Sequence, residues 1–254
     1  RSRLPGRRAS RMARPNDRIN SALSKHGYQN IKKVGEGSFG AAILVQHTLD
    51  KDRDSKAIVK MIDISRATKT EKDAALKESQ VLSSLKHPYI VRYHESFLEH
   101  GYLALVMDYA QGGDLQQRIQ RQRATHRTFE EAQVLHWFTQ ALLGLKYLHG
   151  RQILHRDLKS ANLFLTEHDR LCIGDFGISM VLKNDLHVED MAIGTPSYLS
   201  PEICATALYT AASDMWALGV ILFELATLRL PYDAASLSAL AEKITRGPVP
   251  QLPQ

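Results

Sequence analysis

Cysteine is scarce in this sequence, which contains only Cys172 and Cys204 among its 254 residues. The two lie 32 positions apart and form no Cys-x-x-Cys pair. This excludes a disulfide scaffold and a thiolate zinc site, and it fits a reducing compartment. Long apolar runs are lacking too, because the longest stretch without a charged residue, Ala132 to Leu145, has 14 residues. A membrane-spanning helix needs roughly 18 apolar residues, so no membrane span is expected.

An excess of charge is lacking outside the N-terminal segment. Residues 1–18 contain seven arginines and one aspartate, which account for the whole net charge of +6. The rest of the chain is neutral, so specific nucleic-acid binding by a folded face is not expected. The basic segment has few apolar residues, and we predict that residues 1–27 form a disordered extension. It is either a solvated tail or a segment that docks on acidic polymers or membranes.

The pattern of apolar residues predicts two parts after this extension. From Tyr28 to about Met107, short runs rich in Val and Ile predict strands, interrupted by one helix in EKDAALKESQVLSSL. After the turn QGGD, the pattern becomes helical. Thr128 and Glu131 are spaced as a capping box before a long amphipathic helix that ends at Gly150. The run MWALGVILFELATL is apolar on nearly every face, which predicts a helix inside a large core.

Three glycines suggest a phosphate-binding turn. Gly35, Gly37 and Gly40 have the GxGxxG spacing in VGEGSFG, where missing side chains let backbone N–H groups approach phosphates. A dinucleotide site requires a helix directly after the glycines, whereas here the strand-like run AAILVQH follows. The order strand, glycine turn, strand favours a flap over phosphates, and a structural turn without a ligand is the alternative.

Lys60 and Glu78 are charged residues in apolar surroundings. Lys60 lies in the run AIVKMI, either on the exposed side of an edge strand or over bound phosphates. Glu78 falls on the same helix face as Leu82 and Leu85, where an unpaired carboxylate would carry a desolvation penalty of several kcal/mol. We therefore predict a buried Lys60–Glu78 ion pair.

The stretch ILHRDLKSANLFL carries the most specific pattern, HRDxKxxN, followed 18 residues after Asp157 by DFG at 175–177. Asp157 is the candidate acceptor for the proton of an attacking hydroxyl, and Lys159 is placed to neutralise charge on a transferred phosphate. Asn162 and Asp175 supply the oxygen ligands that magnesium prefers. A polar loop between strands would explain none of these spacings.

With these motifs, the sequence resembles the eukaryotic protein kinases, and among them most closely the NIMA-related (Nek) serine/threonine kinases. The resemblance covers Tyr28 to Gln254 and rests on VGEGSFG, IDISR, KHPYIV, LVMDYAQGGDL, HRDLKSANLFL, IGDFGISMVL, GTPSYLSPEIC and SDMWALGVILFELATLRLPY. It implies a two-lobed α+β kinase fold with an N-lobe at 28–107, a hinge at 108–112 and a helical C-lobe at 113–254. Because the sequence stops at LPQ, we expect the last helices of the C-lobe to be missing.

The resemblance implies a serine/threonine protein kinase that transfers the γ-phosphoryl group of ATP to protein hydroxyls, with Mg²⁺ or alternatively Mn²⁺. Lys159 together with Thr195 is the serine/threonine pattern. Protein substrates, cytoskeletal partners and a cytoplasmic location at the cytoskeleton or basal body are implied as well. The implied ATP-binding residues are Val34, Gly35, Glu36, Gly37, Ser38, Phe39, Gly40, Ala42, Lys60, Met107, Asp108, Tyr109 and Ala110.

The resemblance also implies supporting residues. Leu82, Tyr93, His155 and Phe176 would stack into the spine of the active state, with Asp214 anchoring its base. Glu202 would pair with an arginine near the end of the family's domain, and that arginine lies beyond the last residue of this sequence.

Regulation is expected in the segment from Asp175 to Glu202. Met191 stands where Nek kinases often carry a phosphorylated residue, so we expect Glu189 or Asp190 to supply part of that charge to Arg156. The alternative is that Thr195 or Thr206 carries the switch. For the function as a whole, the alternative is a catalytically weak or inactive truncated domain that acts as a binding module. A nicotinamide-dependent enzyme is disfavoured by the strand after the glycines.

Overall fold

The structure is a computed structural model that describes residues 15–37, 40–48, 56–175, 196–205 and 208–252. The N-terminal part contains helices α1 (Pro15–Lys25) and α2 (Lys69–Ser83) and strands β1 (Tyr28–Gly37), β2 (Gly40–His47), β3 (Lys56–Asp63), β4 (Tyr93–Glu99) and β5 (Tyr102–Asp108). The strands form one antiparallel sheet in the order β1-β2-β3-β5-β4. This is the predicted N-lobe.

The C-terminal part is mainly helical. It contains β6 (Gly113–Asp114), α3 (Leu115–Arg123), α4 (Glu131–His149), β7 (Leu163–Leu165), β8 (Leu171–Ile173), α5 (Pro201–Cys204), α6 (Ala211–Thr227) and α7 (Leu237–Arg246). Strands β6, β7 and β8 form a small antiparallel sheet. The two-lobed α+β fold that the resemblance implies is therefore confirmed.

The N-lobe sheet has two buried faces, because apolar side chains alternate with the pleat of its strands. Ala57, Val59 and Met61 of β3 point to an outer face, which α1 covers. Ile62 of β3 points the other way, into the core that contains α2 and the helical lobe. Helix α2 begins with a capping box, in which Thr68 accepts the N–H of Glu71 and Glu71 accepts that of Thr68.

Helix α1 contradicts the predicted disorder over residues 15–27. Ile19, Ala22 and Leu23 recur at i, i+3 and i+4, so they share one helix face, and all three are buried. Pro15 stands at the first helical position, which tolerates a missing N–H. The predicted disorder rested on the average composition of the whole segment, which does not reveal this short apolar stripe. Residues 1–14 of the predicted extension lie outside the described part.

Helices α4 and α6 form the centre of the helical lobe. The start predicted for α4 was wrong: the helix begins at Glu131 after Glu130, and the side chain of Thr128 caps nothing there. The backbone carbonyl of Thr128 instead accepts the side-chain amide of Gln122 at 3.2 Å. The predicted buried helix is confirmed as α6, with most of its core-facing side chains inaccessible to water. No helix in the described ranges is long and apolar enough to cross a membrane.

Candidate active site

The glycine motif forms the β1–β2 hairpin, the strand–turn–strand arrangement expected from the sequence. Gly35 pairs with Ala42, Glu36 with Ala41, and Gly37 with Gly40. Gly40 has a φ of +144°, and a Cβ there would lie 1.8 Å from the carbonyl oxygen of Met61. No other residue fits at this position without moving the backbone. Ser38 and Phe39, at the tip of the hairpin, lie outside the described residues.

The register of the sheet brings predicted ATP-binding residues of four strands to one face. Gly35 pairs with Ala42, Ala42 with Lys60, and Lys60 with Leu105, so these positions form one row across β1, β2, β3 and β5. Paired residues in a sheet share a face, and so do residues two apart along a strand. Met107, two residues beyond Leu105, therefore lies on the same face as Lys60. The side chain of Val34 is partly exposed at the bulge in β1.

The predicted hinge begins at the last residue of β5. Asp108 is the last residue of β5, and its carboxylate oxygen lies 2.6 Å from Nε2 of His94. Tyr109 and Ala110 come next and are half-buried. The carbonyl of Ala110 accepts the N–H of Gly113 at 3.3 Å, which turns the chain into β6. The hinge residues are thus held between the two sheets.

Lys60 contacts a residue that the sequence assigned to metal binding. Its ammonium is ion-paired with the carboxylate of Asp175, and both side chains are partly buried. Glu78 lies in α2, but its side chain is outside the described part, so the Lys60–Glu78 pair stays a prediction. The Lys60–Asp175 pair joins the N-lobe sheet to the start of the DFG motif across 115 residues of sequence.

Asp157, Lys159 and Asn162 form a cluster of hydrogen bonds and one ion pair. Lys159 Nζ lies 3.0 and 2.8 Å from the two carboxylate oxygens of Asp157. The side-chain amide of Asn162 donates to the backbone carbonyl of Asp157 at 2.7 Å and to its carboxylate at 2.9 Å. The side chain of Asp157 is 46% exposed, so its carboxylate can meet an incoming hydroxyl.

The candidate metal ligands lie close together. The backbone carbonyl of Asn162 accepts the N–H of Gly174 at 3.0 Å, and Asp175 is the next residue. Both amide donations of Asn162 use its nitrogen, which leaves the side-chain oxygen available as a ligand. An amide oxygen and a carboxylate oxygen are the donors that suit Mg²⁺, which completes its shell with water and phosphate oxygens. The residues present therefore fit this ion.

Asp214 anchors the loop that carries Asp157. Its side chain is fully buried and accepts the backbone N–H groups of His155 at 2.9 Å and Arg156 at 3.0 Å. The hydroxyl of Tyr209 and Nε2 of His149 also reach this carboxylate, at 2.6 and 2.8 Å. Burial and the negative charge of Asp214 raise the pKa of Tyr209. Arg156 has a φ of +67°, a strained conformation that these bonds hold in place.

His155 is fully buried and neutral. Its Nε2 donates to the carbonyl of Gly174 at 3.0 Å, and the N–H of Asp157 donates to its Nδ1 at 3.3 Å. Burial lowers the pKa of His155, and the nearby carboxylates only partly offset this effect. Of the other predicted spine residues, Leu82 and Tyr93 are buried in the main core, and Phe176 lies outside the described residues.

A buried polar network beside the candidate catalytic residues was not predicted from the sequence. Ser160 Oγ lies 3.0 Å from the hydroxyl of Tyr198, which donates to the carboxylate of Glu224 at 2.6 Å. All three side chains are buried, and burial raises the pKa of Glu224. A signal was present, because Glu224 is the single charged residue within the apolar run of α6 and therefore needed a partner.

Phe164 is a second residue that sequence analysis missed. Its ring packs where a side chain on Gly174 would be, since a Cβ on Gly174 would lie 2.9 Å from the ring. The ring therefore lies against Gly174, the residue before Asp175. In β7 both leucines, Leu163 and Leu165, are buried and Phe164 between them is half-buried. The sequence is apolar at all three positions and gave no signal that distinguishes Phe164.

The predicted regulatory residues are only partly described. Arg156 is described, whereas Glu189, Asp190 and Thr195 lie outside the described residues. Glu202 accepts the hydroxyl of Ser213 at 2.5 Å. Burial acts to raise the pKa of Glu202, but its hydrogen bonds, first that from Ser213, hold the pKa below its usual range.

Comparison with known proteins agrees with this geometry. The family model described as the protein kinase domain matches residues 28–251, and the chain belongs to this family. Serine/threonine-protein kinase Nek1 of Mus musculus is 47% identical over 223 residues, which cover 88% of this chain and 18% of Nek1. Nek5 of Homo sapiens is 44% identical over 221 residues, covering 87% of this chain and 30% of Nek5. The resemblance to NIMA-related kinases is thus confirmed.

A further relative is Nek3 of Mus musculus, 41% identical over 226 residues, which cover 89% of this chain and 43% of Nek3. The chain therefore spans less than half the length of the curated relatives it matches.

Proposed function

We propose that this domain transfers the γ-phosphoryl group of ATP to serine and threonine hydroxyls of protein substrates. The observation that carries the proposal is the cluster in which Asp157 contacts both Lys159 and Asn162. The backbone of Asn162 in turn binds Gly174, the residue before Asp175. A base, a cation and two oxygen ligands for a metal ion are the parts that phosphoryl transfer requires.

Each residue has a distinct task in the proposed reaction. The β1–β2 hairpin covers the phosphates, and the ammonium of Lys60 binds them from β3. Asp157 orients the substrate hydroxyl and accepts its proton as the oxygen–phosphorus bond forms and the bond to ADP breaks. Lys159 offsets the negative charge on the phosphoryl group during transfer. Mg²⁺ bound through Asn162 and Asp175 would add positive charge at the phosphates.

Incubation of the protein with radiolabelled ATP, Mg²⁺ and a generic basic protein tests this function. Acid hydrolysis of the labelled product then identifies the phosphorylated amino acid. We expect phosphoserine and phosphothreonine, with no label transferred when EDTA removes the metal. Nucleotide binding without any transfer, or label on tyrosine alone, would contradict the proposal and favour the binding module or another substrate class.

The regulatory expectation joins this proposal as a hypothesis. Glu189 and Asp190 would supply charge to Arg156 and sustain basal activity without phosphorylation. A phosphatase-treated sample tests it: loss of activity would assign the switch to a phosphorylated residue such as Thr195 or Thr206. Cytoskeletal partners and a cytoplasmic location stay predictions that rest on the family resemblance alone.

A further inference from the structure

The segment that leads into β1 contacts one face of β4 at every second residue. Side chains at alternate positions of a strand point to the same face. Three such contacts are present: Tyr28 with Glu95 through a 2.5 Å hydrogen bond, His26 with Phe97 through rings stacked 3.6 Å apart, and Lys25 with Glu99 through a 2.7 Å ion pair. The regular spacing shows that this segment follows the strand rather than touching it at one point.

Helix α1 continues this interface with an apolar face. Ile19, Ala22 and Leu23 are 9%, 0% and 0% exposed. They belong to a core cluster with the outer face of the sheet, formed by Tyr28, Ile43, Val45, Ala57, Val59, Met61, Phe97, Ala104 and Val106. Without α1, this face would be an exposed apolar patch, which soluble proteins rarely leave uncovered.

The helix reaches both edges of the sheet. In the order β1-β2-β3-β5-β4, the edge strands are β1 and β4. Asn20 accepts the side-chain amide of Asn30 in β1 at 2.9 Å. At the opposite edge, Ser21 lies 3.3 Å from His100, which follows β4 in the turn to β5. One helix therefore bridges the strand that carries the glycine motif and the hairpin that leads to the hinge.

We propose that residues 15–27 form an N-terminal clasp that is part of the folded kinase unit and binds across the outer face of the N-lobe sheet. The family model begins at residue 28, so this element lies outside the matched domain. The outer sheet face is a docking surface for an amphipathic helix, and its occupant is the protein's own α1. Clasp and sheet should unfold together.

Trypsin cleavage after Arg18 and Lys25 reports directly on the clasp, because a docked helix resists proteolysis until it opens. The test compares Leu23→Ala, at the buried face, with Ser24→Ala, at the neighbouring exposed position, in the full chain. We expect Leu23→Ala to speed cleavage at these two sites at least tenfold and to lower the melting temperature by about 5–15 °C. Ser24→Ala should match the unmodified protein in both measurements.

A charge exchange keeps the test informative if Leu23→Ala does not fold. Lys25→Glu removes the trypsin site at residue 25 and Glu99→Lys adds one at residue 99, so cleavage of these variants is followed at Arg18 alone. There, Lys25→Glu alone and Glu99→Lys alone should each speed cleavage about two- to fivefold, and the double variant should restore most of the protection. Equal cleavage in Leu23→Ala and Ser24→Ala, or no restoration in the double variant, would overturn the proposal. Protection that falls on tenfold dilution would overturn it too, since the helix would then come from a second copy.

Discussion

Lys159 holds the carboxylate of Asp157 through both of its oxygens, with Nζ at 3.0 and 2.8 Å. The ion pair fixes the orientation of the candidate base before any substrate binds. Asn162 adds a third contact to the same carboxylate. In the proposed reaction, the cation that faces the transferred phosphate therefore lies beside the base before substrate binds.

Lys60→Met should abolish phosphoryl transfer while leaving the fold intact. The side chain of Lys60 is 21% exposed and that of its partner Asp175 is 34% exposed, so water can solvate the carboxylate that the substitution leaves behind. We expect a rate below a few per cent of the unmodified enzyme and a melting temperature within about 2 °C. Lys56→Met, at the exposed start of the same strand, is the matched control and should retain full activity.

Asp214→Asn should cost both stability and activity. The buried carboxylate accepts two backbone N–H groups and the hydroxyl of Tyr209. An asparagine amide has one accepting oxygen, and its NH₂ group would face some of these same donors without being able to accept from them. We expect a loss of about 3–5 kcal/mol in thermal or urea unfolding. Tyr209→Phe removes one of these bonds and should lose less. Equal losses in the two variants would show that Asp214 does not anchor the loop.

Tyr198→Phe should weaken the contact between the catalytic loop and α6. The substitution removes one hydroxyl and leaves Ser160 and Glu224 buried without it, at a cost of about 1–3 kcal/mol. Because Ser160 begins the turn that carries Asn162, kcat should fall as well. Urea unfolding and steady-state kinetics measure the two effects. An unchanged kcat with reduced stability would restrict the network to a structural role.

Stability should decrease in mild acid because of His155. Its pKa is lowered in the folded state, so the unfolded chain binds a proton at a higher pH than the folded chain does. The stabilising contribution is therefore complete above the ordinary histidine pKa of about 6.5 and is lost progressively as the pH falls from there to the lower pKa of the folded state. Imidazole ¹⁵N shifts should show the neutral Nε2–H form still present at pH 6. A normal titration of His155 near pH 6.5 would contradict this assignment.

The sequence was informative where chemistry demands fixed spacing and weaker where packing decides. The motif around Asp157 identified Asp157, Lys159 and Asn162 as candidate site residues, because each residue type has its own task in phosphoryl transfer. By contrast, the Lys60–Asp175 pair depends on how two distant segments meet, which no local pattern encodes. Helix α1 was missed because its apolar stripe of Ile19, Ala22 and Leu23 is only one turn long and lies beside an arginine-rich stretch. The predicted start of α4 was wrong because the helix begins after Glu130 without a side-chain cap, so the spacing of Thr128 and Glu131 alone did not locate it.

The most direct test of the account is the rate of phosphoryl transfer by Asp157→Asn at saturating ATP and Mg²⁺, measured beside its affinity for ATP. Asparagine keeps the size of the side chain but cannot accept the proton of the hydroxyl. The account predicts a rate lower by about 10²–10⁴-fold with ATP affinity within about twofold of the unmodified protein. A variant that retains more than about a tenth of the rate would contradict the assignment of Asp157 as the base.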